Sequence, residues 1–291
     1  MSDKRRILIQ LDTDMQPSVF DRVVAVDSGV EELFSYGGVR PEQVRDLVHG
    51  AIFTRDVKDL PHTAVFIGGS DVTAGERLLE EVKKHLLPQF GLSVSVFLDS
   101  NGANTTAAAA VRAAARHLDL SKTTATVLGG TGPVGQRVAF LLAQQGAHVR
   151  VGSRQRDRAA QVCERIRQRV QRGELEPVAA GDPASVAAAL EGRELVVAAG
   201  AAGVVLLPQQ VRQACPALRV AIDLNAVPPL GIEGVQVMDK AAPLDGVTAY
   251  GAIGVGKTKM KVHKAAIAKL FEANNLVLDV EEIYQIACGI T

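Results

Sequence analysis

The chain has 291 residues, is 47% hydrophobic and balances 32 basic against 32 acidic side chains, with no Trp. That length supports two domains with cores of their own. The even charge and scarce aromatics exclude a basic, base-stacking nucleic-acid surface, and no apolar run approaches a membrane span. Cys163, Cys215 and Cys288 lie far apart with no CxxC or Cys/His spacing, so they read as free thiols in a reducing compartment, with no metal site. Met1-Ser-Asp-Lys-Arg-Arg shows no secretory signal and leads straight into a short strand. A cytoplasmic enzyme without membrane or nucleic-acid partners is the expectation.

In chain order, residues 6–11 read as a strand, 18–28 as a helix opened by Pro17-Ser18, 41–49 as a helix and 51–54 as a short strand. Residues 64–67 form a strand ending at Gly68-Gly69. Asp71 or Thr73 then caps a helix running to about residue 87, and 93–98 is a further strand. This alternation predicts a parallel sheet. A helix over 104–117 follows, and the alanines 107–110 suit close packing. The chain divides near residue 105, and Ser121-Lys122 opens the second half, with later strands at 195–198 and 218–223.

The second half begins with the most specific motif. An apolar strand, 125–128, runs into Gly130-Thr131-Gly132-Pro133-Val134-Gly135, then a helical segment ended by Gly146, then a strand at 147–151. Strand, glycine turn, helix and strand in that order describe a dinucleotide site. The first Gly permits the tight turn, the second lets backbone approach a pyrophosphate, and the third lets helix pack on strand. The helix N-terminus offers free N–H groups to the phosphates.

The end of the next strand selects the cofactor. An NAD site places an acid there for the ribose 2′-OH. This strand runs out into Gly152-Ser153-Arg154-Gln155-Arg156-Asp157-Arg158, and Asp157 lies beyond its end. A hydroxyl and a guanidinium fit a 2′-phosphate, so Ser153, Arg154 and Arg158 favour NADP. The alternative is that the three arginines form a solvated first turn. Ala199 and Gly200 after one strand, and Asn225 after another, sit among small residues that let a nicotinamide ring lie against backbone. Ile253 and Gly254 complete the expected cofactor set. They fall in Gly251-Ala-Ile-Gly-Val-Gly256-Lys257-Thr258, which formally fits the P-loop pattern. The strand before it is weak, so this stretch reads as a flexible glycine turn at the domain junction.

Polar residues gather at three strand ends of the first half: Asp12-Thr13-Asp14, Gly68-Gly69-Ser70-Asp71, and Asp99-Ser-Asn-Gly-Ala-Asn-Thr-Thr106. Ligands of open α/β sheets bind outside the carboxyl ends of strands. One polar cleft facing the dinucleotide is the functional reading; capping turns are the alternative for each set alone.

Asp12-Thr-Asp14, Pro17-Ser-Val-Phe-Asp21, Leu98-Asp-Ser-Asn-Gly-x-Asn-Thr-Thr-Ala107, Gly130-Thr-Gly-Pro-Val-Gly135, Asn225-Ala-x-Pro-Pro-Leu-Gly-Ile232 and Lys259-x-Lys261-x-His263 together resemble the NADP-dependent methylene-tetrahydromethanopterin dehydrogenases of methylotrophic bacteria. The resemblance runs the full length, through Glu281-Glu-Ile-Tyr284. It implies an α/β fold of two domains. A parallel-sheet pterin-binding domain, 1–105 with 265–291, accompanies a Rossmann NADP-binding domain, 106–264, and the C-terminal helix returns to the first domain. It also implies that the P-loop-like string is not an ATP site, and that the protein is a homo-oligomer, a trimer or hexamer.

The reaction implied by the resemblance transfers hydride from the one-carbon bridge of a reduced pterin, methylene-tetrahydromethanopterin or also methylene-tetrahydrofolate, to NADP. No general base is required, because the carbon loses hydride and not a proton. The resemblance places Lys259 near the pterin, where holding a ring carbonyl suits it better than facing a developing cation. Asp21 is a candidate for stabilising that cation. Asp12, Asp14, Pro17, Ser18, Phe20, Asp99, Asn101, Asn104 and Thr105 form the expected substrate set. Two alternatives stand beside this reading: a methylene-tetrahydrofolate dehydrogenase–cyclohydrolase, and a non-catalytic NADP-binding sensor. The Tyr-x-x-x-Lys pair of the cyclohydrolases is absent here, so little hydrolysis of methenyl pterin is expected.

Overall fold

The computed structural model describes residues 4–290, so the first three residues of the expected leaderless start lie outside the described residues. The chain forms two compact units, one running up to Thr105 and resuming at Met260, the other spanning Thr106–Lys259.

The first unit alternates strand and helix: β1 (Ile7–Asp12), α1 (Val19–Asp27), β2 (Glu32–Tyr36), α2 (Pro41–Phe53), β3 (Thr63–Gly68), α3 (Val72–His85) and β4 (Ser95–Leu98). β3 is buried at every position, as a central parallel strand covered on both faces must be. α2 opens with Pro41 in its first turn and buries Val44, Val48, Ala51 and Ile52 at helical spacing. The expected strand at 51–54 is therefore wrong. Ala51 and Ile52 continue the apolar stripe of the helix, and helical period wins over local β propensity. α3 starts where Asp71 accepts from the Ala74 amide at 2.9 Å, and ends in Lys83, Lys84 and His85, which suit the negative end of its dipole. The strand β2 has no counterpart in the sequence reading; its half-buried edge pattern hides the alternation.

α4 (Ala103–Ala114) leads into the second unit, where β5 (Thr124–Leu128), α5 (Pro133–Gln144), β6 (His148–Ser153), α6 (Arg156–Arg167), β7 (Glu174–Ala179), α7 (Pro183–Leu190), β8 (Leu195–Ala198), α8 (Gln209–Gln213), β9 (Val220–Asp223), β10 (Lys240–Leu244) and β11 (Val247–Tyr250) follow. Their sheet has the order β10-β11-β9-β8-β5-β6-β7. Every pairing is parallel except β10 with β11. The strand order reverses between β5 and β8, the topological switch point at which doubly wound sheets bind dinucleotides.

α9 (Ala252–Lys269) corrects a second expectation. The glycine-rich stretch from Gly251 is no flexible turn but the start of an eighteen-residue helix. A Cβ on Gly251 would stand 2.0 Å from the Gln236 carbonyl oxygen, and one on Gly254 would stand 1.7 Å from that of Asp239. Those glycines let the helix lie on the 236–239 backbone. Helix replaces the loop that would cradle a phosphate.

The chain then returns through β12 (Val277–Leu278) and α10 (Val280–Gly289). β12 pairs parallel with β4, giving the first unit the order β12-β4-β3-β1-β2. Its core includes Leu11, Ile52, Ile67, Val96 and Leu98, all at most 1% exposed. Burying each such side chain contributes about 1.5–3 kcal/mol.

Candidate active site

At the carboxyl end of the second sheet, β5, β6 and β8 open into a cleft of about 820 Å³. Its floor is the glycine turn. The Gly130 amide donates to the Gly152 carbonyl at 2.9 Å and the Gly132 amide to that of Gly129 at 3.0 Å, so the turn is pinned to β6 and closed on itself. Gly129 has φ +69°, and a Cβ there would come within 2.6 Å of the Gly200 backbone. A Cβ on Gly135 would stand 2.5 Å from the Gly129 oxygen. Gly132 caps α5 and Pro133 fills its first turn, so the unpaired N–H groups of the helix face the cleft. Backbone N–H groups at a helix start form a ready anion site.

The β6 end supplies a hydroxyl and two guanidiniums. Ser153 is buried, and its hydroxyl accepts from the Gln155 amide at 3.2 Å. Arg154 and Arg158 are exposed and line the cleft with it. No carboxylate lines this wall. The opposite wall carries Ala199, Gly200, Val204 and Leu206. A cleft with a backbone anion cradle and two guanidiniums at its β6 edge can hold a dinucleotide.

Eight expected cofactor residues thus share one cavity: Thr131, Gly132, Pro133, Ser153, Arg154, Arg158, Ala199 and Gly200. Gly130 and Gly135 are buried beneath the turn and shape it, and Val134 is half-buried in the first turn of α5. Asn225 is buried after β9 and folds its own loop: its amide donates to the Pro229 carbonyl at 3.2 Å and its oxygen accepts from Val227 at 3.0 Å. Ile253 and Gly254 sit in α9 and do not line this cleft. The sequence reading missed Gly129, Gln155, Ala180, Ala201, Val204 and Leu206 in the wall. Gly129, beside the first motif glycine, was the one with a visible signal.

Burial pushes the Asp223 carboxyl above its ordinary range, against hydrogen bonds from its own loop that pull it down. Burial also raises the Cys163 thiol to about 11, which makes it an inert core group.

In the first unit the polar strand ends do meet. Ser70 donates to Asp14 from its amide at 2.9 Å and its hydroxyl at 2.8 Å, joining the loops after β1 and β3. The Asn101 amide donates to the Gly69 carbonyl at 2.7 Å, which brings in the loop after β4. Asn101 holds φ +56°, a left-handed conformation that Asn tolerates. Within the cluster the residues divide by direction. Asp12 is fully buried and accepts from the amides of Asp14 and Ser18 at 2.9 and 3.1 Å and from Gln10 at 3.2 Å. Asp99 is buried and accepts from the Thr105 amide at 3.0 Å and hydroxyl at 2.6 Å. Asn104 is buried and donates to the Leu98 carbonyl at 2.7 Å and to Asp279 at 2.9 Å, tying β4 to the start of α10. Asp12, Asp99, Asn104 and Thr105 thus brace loops. Asp14, Pro17, Ser18 and Asp21 are half-buried, and Phe20 and Asn101 are exposed. Ser18 also caps α1, accepting from the Asp21 amide at 3.2 Å.

His263, which carried no assigned role, lies fully buried with Nδ1 at 3.8 Å from Asp99. The rings of Phe97, Phe66 and Phe20 surround it at centroid distances of 5.5, 5.7 and 6.2 Å. Lys259 is half-buried in the middle of α9. Among the described residues, no group of three or more His, Cys, Asp or Glu side chains is placed to hold a metal ion, and no helix is long and apolar enough to cross a membrane.

Residues 19–101 match the family model described as methylene-tetrahydromethanopterin dehydrogenase, N-terminal, and residues 129–271 match one described as NAD(P)H-binding. The bifunctional protein MdtA of Methylorubrum extorquens is 44% identical over 287 residues, covering 97% of this chain and 98% of that protein. The NAD(P)-dependent methylenetetrahydromethanopterin dehydrogenase of the same organism is 32% identical over 298 residues, covering 98% and 99%. Among solved structures, shikimate 5-dehydrogenase from Listeria monocytogenes is similar with a TM-score of 0.51 at 13% identity, covering 98% of this chain and 97% of its own. The 5-ketofructose reductase of Gluconobacter sp. strain CHM43 follows with a TM-score of 0.50 at 14% identity and full coverage of both chains. At those identities the structural likeness concerns the fold alone.

Proposed function

The chain belongs to the methylene-tetrahydromethanopterin dehydrogenase family, and from that premise we propose that it transfers hydride from the one-carbon bridge of methylene-tetrahydromethanopterin to NADP, leaving the methenyl cation on the pterin. Methylene-tetrahydrofolate, which shares the reactive core, is proposed as a second substrate. The observation that carries the choice of NADP is the β6 end. Ser153, Arg154 and Arg158 line the cleft, and no carboxylate stands where a ribose 2′-OH would need one.

NADP, when bound, supplies the hydride acceptor. The glycine turn and the start of α5 would hold its pyrophosphate, and Arg154 and Arg158 its 2′-phosphate. The strand ends of the first unit would hold the pterin. There Asp14, Pro17, Ser18, Phe20 and Asn101 are the contact groups, while Asp12, Asp99, Asn104 and Thr105 keep their loops in shape. The carbon gives up hydride and no proton, so the chain needs no general base. Its work is to hold the donor carbon in near-attack geometry and to keep negative charge near the cation that forms. Asp21 is proposed for that charge, and Lys259 for a pterin carbonyl. The protein is further proposed to act in the cytoplasm as a homo-oligomer, trimeric or hexameric.

The test is absorbance of reduced nicotinamide with methylene-tetrahydromethanopterin and methylene-tetrahydrofolate side by side, NAD serving as cofactor control. Turnover with NADP and the methanopterin supports the reading. Tight NADP binding without turnover on either pterin would replace it with the sensor.

A further inference from the structure

We propose that Asp223 is a positioning residue for the nicotinamide half of the bound cofactor, acting at a distance through the loop 224–232 and Leu206. The inference rests on the NADP reading above.

Asp223 ends β9 and is fully buried. Its Oδ1 accepts from the Asn225 amide at 2.9 Å, and its Oδ2 from the Ile232 amide at 2.8 Å. One carboxylate therefore grips both ends of the intervening loop. A buried carboxylate is costly unless such donors meet it, and here the donors are the loop's own backbone. Asn225 braces the loop from within by its bonds to Val227 and Pro229. A Cβ on Gly231 would stand 2.9 Å from Oδ1, so the loop closes directly onto the carboxylate.

The loop then passes its position on. The Gly231 carbonyl accepts from the amides of Leu206 and Leu207 at 2.8 and 2.9 Å. Leu206 lines the cofactor cleft, and a Cβ on Gly200 would stand 2.6 Å from its Cδ1. Asp223 thus sets where Gly231 lies, Gly231 sets Leu206, and Leu206 packs on Gly200 in the cleft wall. The wall in question follows β8. The adenosine end of a dinucleotide lies at β6, across the glycine turn. The other end must then run along Gly200 and Leu206. No polar atom of Asp223 needs to reach the ligand for this to operate.

The test is calorimetric titration of the purified full-length protein with two ligands. NADP carries both halves; 2′,5′-ADP carries the 2′-phosphate and no nicotinamide. An Asn at position 223 keeps the shape but turns one acceptor into a donor facing a backbone N–H. Asp223→Asn is expected to weaken NADP about tenfold and to leave 2′,5′-ADP unchanged. Leu206→Ala is expected to give the same selective loss with the carboxylate untouched, and it carries the test if the first variant does not fold. The double variant is expected to lose no more than the larger single loss, as for two residues in one chain of contacts. Equal weakening of both ligands in Asp223→Asn, unchanged NADP binding in either variant, or additive losses in the double variant would each overturn the proposal. If the wild type binds neither ligand, the NADP reading itself falls and this inference with it.

Discussion

The carboxyl ends of the two sheets are built by different means. In the second unit the cleft is made of backbone and small side chains, with Gly129, Gly132, Ala199 and Gly200 around it and two arginines at one edge. In the first unit the strand ends are crowded with carboxylates, amides and hydroxyls, and most of their bonding capacity is directed at one another. A glycine turn states its purpose in sequence, because only a missing Cβ allows the close approach. An Asp at a strand end serves equally to hold a loop or to meet a ligand, and burial decides between the two.

The sharpest way to break the comparison is at the glycine turn. Gly135→Val places a side chain where even a Cβ stands 2.5 Å from the Gly129 oxygen. NADP binding by calorimetry is expected to fall by more than about 100-fold, equivalent to some 2.7 kcal/mol. Pterin affinity should change far less. Comparable loss of both ligands would mean that the two units are not separate in function.

Next in size is the arginine edge. Arg154→Ala would remove the proposed charge-assisted contact to the 2′-phosphate, about 1.5–3 kcal/mol, so kcat/KM for NADP should drop roughly 10- to 100-fold while that for NAD stays near its wild-type value. An equal drop for both cofactors would deny Arg154 the 2′-phosphate.

The first unit offers a paired test of a buried against a half-buried carboxylate, Asp12 against Asp14. Asp12→Ala leaves the amides of Asp14 and Ser18 without their acceptor and is expected to lower stability by about 1–3 kcal/mol, read from denaturant midpoints. Asp14→Ala is expected to raise KM for the pterin several-fold with NADP affinity unchanged. If Asp12→Ala proved as stable as wild type but lost the pterin, the division drawn within that cluster would be reversed. The smallest effect belongs to Asp71, whose side chain caps α3. Asp71→Ala should cost about 1 kcal/mol of stability and leave both KM values alone.

Much of the second unit was legible in the sequence, because strand, glycine turn, helix and strand is a pattern with a mechanism behind each position. The Ser153-Arg154 end of β6 was legible for the same reason. The wall from Ala201 to Leu206 was not: its Leu206 end is hydrogen-bonded to Gly231 in the loop after β9, a contact between segments about 25 residues apart that no local pattern reports. The helical start of α9 was hidden because its glycines look like a turn. They are small to meet the 236–239 backbone, a tertiary reason. In the first unit the three polar strand ends were visible, yet the inward direction of Asp12, Asp99 and Asn104 was not. His263 gave no signal beyond its place in a short motif, since its burial comes from Phe66 and Phe97 on neighbouring strands.

The proposed reaction is direct hydride transfer from the pterin bridge to NADP. Methylene-tetrahydromethanopterin with both bridge hydrogens replaced by deuterium, turned over in ordinary water, tests it most directly, with the reduced cofactor read by mass spectrometry. The expected product is NADPH carrying one deuterium, undiluted by solvent. Unlabelled NADPH, or label lost to water, would contradict it.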